Sequence, residues 1–312
     1  MKSKLREKME KWSQYSWGDK IYLIVIYSVM ILLMLVCIYP LYFTVIASVS
    51  DPDAVYTGKV FLFPKGLDFN SYRLVFQNKE IWVGYANTIF YTVFGTMFNL
   101  FLTIPAAYAL SKKRMYGLGL LTGVFLFTMY FGGGMIPYYI LTNNLHLHNT
   151  RWMLILTGGI SVYNVVVTRT YFANSIPEEL CESAKMDGAN ELYIFFKIAL
   201  PLSAPIIAVI ALYYAVGHWN EYFTSLIYIT DSAKKPLQLI LRDILITNQK
   251  IFENLVQEGA DGDLLLDFAK KAKLAVTMKY ALVFIASAPM LIIYPFVQKH
   301  FVKGIMVGSL KG

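Results

Sequence analysis

Apolar residues in this chain run in long blocks, and polar residues gather in the intervals between them. Six blocks, near residues 21–49, 85–110, 117–141, 152–173, 202–229 and 275–298, match a bilayer in length, since its hydrocarbon core takes about 20 apolar residues per helix. The second to fifth also carry scattered Asn, Thr, Ser and Gly, which predicts helices bundled around polar interior faces. The pattern predicts an all-α polytopic membrane protein with six transmembrane helices over residues 21–298. Tails of residues 1–20 and 299–312 flank them. The first block is far longer than the apolar core of a signal peptide and reads as an uncleaved span. Composition agrees: 57% of the 312 residues are hydrophobic, 15% are charged and the mean hydropathy is +0.50, too apolar for a soluble protein of this size.

Charge refines the topology. The net charge of +8 does not point to nucleic acid, because the basic residues lie at span ends, where lipid headgroups and membrane insertion use them. Lys2, Lys4, Arg6, Lys8, Lys11 and Lys20, then Lys112, Lys113 and Arg114, then Lys299, Lys303 and Lys311 share one side if there are six spans. That side is predicted to be cytoplasmic, with both termini. The loop of residues 231–274 then lies outside the cell membrane, where residues 50–84 and a helical recurrence of Leu241, Ile244, Leu245, Ile251, Phe252, Leu255 and Val256 form either a cap or an ordinary surface helix. Cys37 and Cys181 fall at different depths, so no disulfide is expected.

The interval between the fourth and fifth spans, residues 174–200, is polar yet structured. Ser175 and Glu178 with Pro177 read as a capping-box helix start. Gly188 suits a left-handed helix end, and Ala189 leaves the bend uncluttered. A second helix is predicted from about Asn190 to Leu200, with Pro201 opening the fifth span. The product is a helix-turn-helix elbow at the cytoplasmic membrane face. Within it Glu182, Ser183, Ala184, Asp187 and Gly188 form E-x-A-x-x-x-G, followed after nine intervening residues by Ile198-Ala199-Leu200-Pro201.

This spacing closely resembles the EAA loop of bacterial ABC-importer permeases, with Ser183 where Ala is usual. The resemblance extends to Tyr39-Pro40-Leu41, Asn87-Thr88, residues 106–111 and residues 301–304. These look like the carbohydrate-uptake branch, of the maltose-permease type. Residues 236–242 and the glycines of the third span are similar to the subgroup for complex polysaccharides such as aldouronate or pectin fragments. The resemblance implies that the elbow is a coupling helix entering a cleft of an ATPase, with Glu182, Ser183, Ala184, Asp187, Gly188 and Ala189 as docking residues. It further implies a second homologous permease, two ATPase subunits that bind the ATP and Mg, an extracytoplasmic solute-binding protein and a bacterial cell membrane.

Other chemistry is sparse. No phosphate-binding loop G-x-x-x-x-G-K-[S/T] occurs, so no cofactor is expected in this chain and any ATP must be bound by a partner. Gly119 and Gly123 suit close helix packing, while Gly132-Gly133-Gly134 with Pro137 should break the third span. His146 and His148 lack neighbours at metal-ligand spacing, and His218 has no nucleophile or acid near it, so no catalysis is expected. Trp219, Asn220, Glu221 and Tyr222 place an amide, a carboxylate and aromatic rings in an apolar span, where polar groups face a cavity or a partner. The resembled permeases carry a similar stretch, so these residues, with Asn87, Tyr163 and Asn164, are candidates for the substrate path; satisfaction of Glu221 by a neighbouring helix is the structural alternative. An ion-coupled carrier is the rival function, but it would show pseudo-repeats and ionisable groups in several spans.

Overall fold

The structure is a computed structural model that describes residues 15–113, 115–244, 246 and 273–292. Leu245, Ile251, Phe252, Leu255 and Val256, and both terminal tails apart from residues 15–20, lie outside the described residues. The described chain is helical, with one isolated bridge, Ser50 to Leu67, and no strand. It divides into two compact units, Met1–Arg73 with Ala260–Phe284 and Leu74–Gly259 with Ile285–Gly312.

In the first unit α1 (Trp17–Ser48) opens on a full capping box, Ser16 with Asp19, and contains Pro40. Its flanks are exposed nearly throughout, and only Ile46, Ala47 and Ser48 are buried. This suits a helix whose solvent is lipid. At its end Ile46 and Ala47 pack with Val55 and Val60, supported by Phe43, Ala54, Val276 and Tyr280. Two short helices follow, α2 (Pro52–Tyr56) and α3 (Asn70–Gln77). Hydroxyl pairs tie the unit together: Ser48 with Tyr72, and Ser71 with Thr277, each at 2.7 Å.

The second unit is built on α4 (Lys79–Ser111), which buries one continuous stripe: Gly84, Thr88, Tyr91, Gly95, Asn99 and Thr103. Steps of three and four residues put them on one face, and the small members let backbones approach. At Gly84 an added Cβ would meet the Leu237 Cα at 3.0 Å, so the helix over 237–244 lies directly on α4. The third expected span breaks as predicted: α5 (Leu118–Tyr130) and α6 (Met135–Asn144) meet at 109°, with the extended residues and glycines of 131–134 between them. Gly119 and Gly123, however, meet nothing within 4 Å of an added Cβ and α5 buries no residue, so their expected close packing is not made among the described residues.

Two spans depart from expectation. The fourth, expected whole over 152–173, is α7 (Arg151–Leu156) and α8 (Val162–Ser175) around a break at residues 157–161, where Gly158 is left-handed. The fifth does not open at Pro201, which lies in the last turn of α10 (Glu191–Leu202); α11 (Ala204–Trp219) begins after a 79° bend. It also stops short, at Trp219, before α12 (Phe223–Tyr228). The last described helix, α13, is Lys273–Ile292. Among the described residues three helices are long and apolar enough to cross a membrane alone, and five spans result if each bent pair counts as one. Cys37 and Cys181 are both free.

Candidate functional site

The elbow begins with α9 (Glu178–Met186), not in the way predicted. Ser175 is still the last residue of α8, and Pro177 caps α9 without a side-chain bond. Pro177 holds the preceding Ile176 in an extended conformation, which separates Ser175 from the new helix. Glu178 and Glu179 in the first turn and Lys185 in the last complement the helix dipole instead.

The far end of α9 is tightly specified. Gly188 has φ 84°; its N–H donates to the Lys185 carbonyl at 3.0 Å and the Ala189 N–H donates to the Ala184 carbonyl at 2.9 Å. This is a Schellman closure, which needs a residue at ease in the left-handed region. Asn190 then caps the next helix by accepting from the Tyr193 N–H at 2.7 Å. Lys185 pairs with Glu191 across the turn, and that hydrogen bond holds the Glu191 carboxyl below the usual carboxylate range.

Beneath the elbow its apolar side is fixed to the bundle. Cys181, Ile194 and Phe195 are buried, and the Tyr108 ring lies 4.9 Å from Phe195 and 5.5 Å from Phe172. Lys112 sits over that ring, with its Nζ 3.6 Å from Cys181 Sγ. Between the elbow and the ends of α4 and α8 is a cleft of about 600 Å³. Outside the cleft Ser183, Asp187 and Gly188 are exposed, Ala184 and Ala189 are half-buried, and Met186 is 89% exposed; Glu182, also exposed, lines the cleft itself. Rigid attachment below and an open surface above are what a part that transmits force requires.

The second site is a cavity of about 380 Å³ among α4, the break in the fourth span and α11, lined largely by residues with polar side chains. Asn99 organises it. Its Nδ2 donates to the Gly158 and Gly159 carbonyls at 3.1 and 2.9 Å, satisfying backbone that the break leaves unpaired. Its Oδ1 is therefore left to accept from His218 Nε2 at 2.7 Å. The Ser161 N–H donates to the Tyr214 hydroxyl at 3.0 Å, which also pairs with Thr103. Asn164, Tyr213 and Glu221 also line it. Glu221 accepts from the Thr224 N–H at 2.7 Å, so it starts α12 as well as facing the cavity.

The predicted path residues thus divide. Asn164 and Glu221 line the cavity; the others do not. Asn87 donates to the carbonyls of Ala233 and Lys235 and accepts from Arg151. With Thr88, which accepts from the Leu237 N–H at 2.8 Å, it anchors the loop before the helix over 237–244. Trp219 is buried and donates to the Ala286 carbonyl. Tyr163, Asn220 and Tyr222 are exposed, and Asn220 only caps α11 by donating to the Val216 carbonyl. The residues that sequence reading missed are Asn99, Tyr214 and the cavity role of His218. A second amide, deeper in the apolar run of the second span than Asn87, was the available signal for Asn99.

The described residues thus form a helical array with an exposed elbow and a cavity lined largely by polar residues. A family model described as the binding-protein-dependent transport system inner membrane component matches residues 81–307, and the chain belongs to that family. It is the permease component of an ABC importer. It is 38% identical over 294 residues to the polygalacturonan/rhamnogalacturonan transport system permease protein YtcP of Bacillus subtilis (strain 168), covering 94% of this chain and 99% of the relative. Protein LplC of the same organism is 39% identical over 277 residues, covering 89% and 90%. Among solved structures, a chain of a bacterial ABC transporter involved in the import of the acidic polysaccharide alginate superposes with TM-score 0.79 at 34% identity, over 92% of this chain and 99% of that one.

Proposed function

We propose that the chain imports a carbohydrate, an oligosaccharide derived from a complex polysaccharide, across a bacterial cell membrane. What supports the substrate class is the similarity over nearly the full length to the polygalacturonan/rhamnogalacturonan permease. The protein works with a second homologous permease, two ATPase subunits that bind ATP and Mg, and an extracytoplasmic solute-binding protein. Residues 1–20, the elbow over 174–200 and residues 299–312 face the cytoplasm, and residues 231–274 face outward.

Glu182, Ser183, Ala184, Asp187, Gly188 and Ala189 present the face that enters the ATPase cleft. ATP-driven closure displaces the elbow, and the aromatic contacts of Phe195 with Tyr108 pass that displacement to the end of α4. Two states with different contacts are what alternating access requires. His218, Asn164 and Glu221 supply the polar groups of the substrate path, where amide and carboxylate can bind sugar hydroxyls. The open face of α5 receives the second permease.

Purification of the tagged chain from its native membrane in mild detergent, followed by mass spectrometry, tests the assembly. A second permease and an ATPase are expected; a lone chain that is intact and active would overturn the proposal. Uptake of oligogalacturonides by vesicles holding the assembled transporter, with and without internal ATP, tests the substrate class.

A further inference from the structure

We propose that residues 61–63 form a lipid-inserting loop that anchors the first unit at the membrane interface. The inference requires only that α1 spans the bilayer and is independent of what is transported. Phe61, Leu62 and Phe63 are 65%, 52% and 74% exposed, three large apolar side chains in succession on a connection between short helices. In water this would be an unfavourable surface.

The loop's position names its occupant. The Tyr39 hydroxyl donates to the Phe61 carbonyl at 3.2 Å, the Tyr42 hydroxyl donates to the Leu62 carbonyl, and the Tyr39 ring lies 5.5 Å from that of Phe61. The loop therefore lies along the side of α1 at the level of its two tyrosines. Residues 21–38 of α1 carry no charge and, at about 1.5 Å per residue, extend about 27 Å, close to the ~30 Å hydrocarbon core. Tyr39 and Tyr42 then fall at its boundary, where amphipathic aromatic rings collect.

The loop is also held in place. The Asp51 N–H donates to the Lys65 carbonyl and the Asp68 N–H to the Val49 carbonyl, both at 3.0 Å, and the Lys59 N–H donates to the Ala54 carbonyl at 2.9 Å. With both ends fixed, the three side chains have no route back into the small core of Ile46, Ala47, Val55 and Val60. Lys59 and Lys65, exposed on either side of the triplet, match anionic headgroups. Apolar tip, tyrosine belt and flanking cations together fit a lipid surface.

The test is a nitroxide at position 63, through Phe63→Cys in a chain whose Cys37 and Cys181 are replaced by Ala. It is measured in the complex as purified, in vesicles of phosphatidylcholine and phosphatidylglycerol. Thr57→Cys, an exposed position beyond the lysine, is the aqueous reference. The position-63 label should collide with oxygen several-fold more often, and with a water-soluble nickel complex several-fold less often, than the reference label. Equal access of nickel to both would place the loop in water. Shielding from both reagents would place it against a protein subunit, and either outcome overturns the proposal. If Phe63→Cys prevents assembly, Leu62→Cys gives the same reading.

Discussion

His218 Nε2 lies 2.7 Å from Asn99 Oδ1, and through that one amide the ring of α11 is linked to the carbonyls of the broken fourth span. Asn99, fully buried, uses both its amide protons and accepts once at its oxygen. Asn99→Leu would leave the Gly158 and Gly159 carbonyls unpaired and His218 without its acceptor. A buried group without its partner costs about 1–3 kcal/mol. The variant should insert in the membrane yet lose thermal stability by that order, with transport lost more than ATPase binding. Thermal unfolding of the purified complex and vesicle uptake check both parts.

Gly95 provides the room for that ring. A Cβ at this position would run into the His218 ring at Nε2, so Gly95→Ala should destabilise by about 1–3 kcal/mol through overpacking. Because the clash is with one side chain, adding His218→Ala should recover part of the loss. Contacting residues couple in this way, whereas distant ones add. A double-mutant cycle on unfolding temperature measures it; strict additivity would mean that the two residues do not meet.

Legibility followed locality. The elbow could be read because its chemistry is contained in a few consecutive residues: Gly188 ends a helix wherever it stands, and Ala184 and Gly188 are one turn apart. The capping box failed at the same locus, since Pro177 acts on Ile176 before Ser175 can reach Glu178. The cavity could be read only at Asn164 and Glu221. Asn99 and His218 are joined only by the approach of α4 to α11, and nothing near either in sequence announces the other. Asn87 shows the converse: its polarity in an apolar span reads as a path residue, whereas the contacts it makes are to the loop at Ala233 and Lys235 and to Arg151.

That anchoring role has its own consequence. Asn87→Leu removes two donations to loop carbonyls and one acceptor for Arg151. It should lower stability by about 1–3 kcal/mol and speed proteolysis of the segment after residue 230. The substrate concentration giving half-maximal uptake should stay unchanged. A shift in that concentration with normal stability would return Asn87 to the substrate path.

The Lys185–Glu191 pair closes the elbow across its turn, and its effect on stability depends on pH in a defined direction. The Glu191 pKa is lowered by Lys185, so the contribution is fully present above the unfolded carboxylate value of about 4.3 and is lost as pH falls through the depressed folded value. Both side chains are at least half exposed, which keeps the gain small, about 1 kcal/mol or less. Glu191→Gln should therefore differ slightly from the parent at neutral pH and converge with it in acid. Unfolding curves of the two proteins at pH 7 and in acid decide this.

Gly188 separates backbone strain from docking. Its φ of 84° is unfavourable for a residue with a side chain, yet among the described residues no atom lies within 4 Å of an added Cβ. Gly188→Ala should thus cost about 1–2 kcal/mol from the left-handed conformation alone. Asn tolerates that conformation better, so Gly188→Asn largely preserves the helix end while adding bulk to the exposed face. Gly188→Arg adds more. If this face enters a close-fitting ATPase cleft, all three variants remain in the membrane, but ATPase recovery falls with side-chain size, from Ala through Asn to Arg. Recovery that tracks helix stability instead, with Asn retained better than Ala, would show that the glycine serves only the turn. Full recovery with Gly188→Arg would remove this face from the contact altogether.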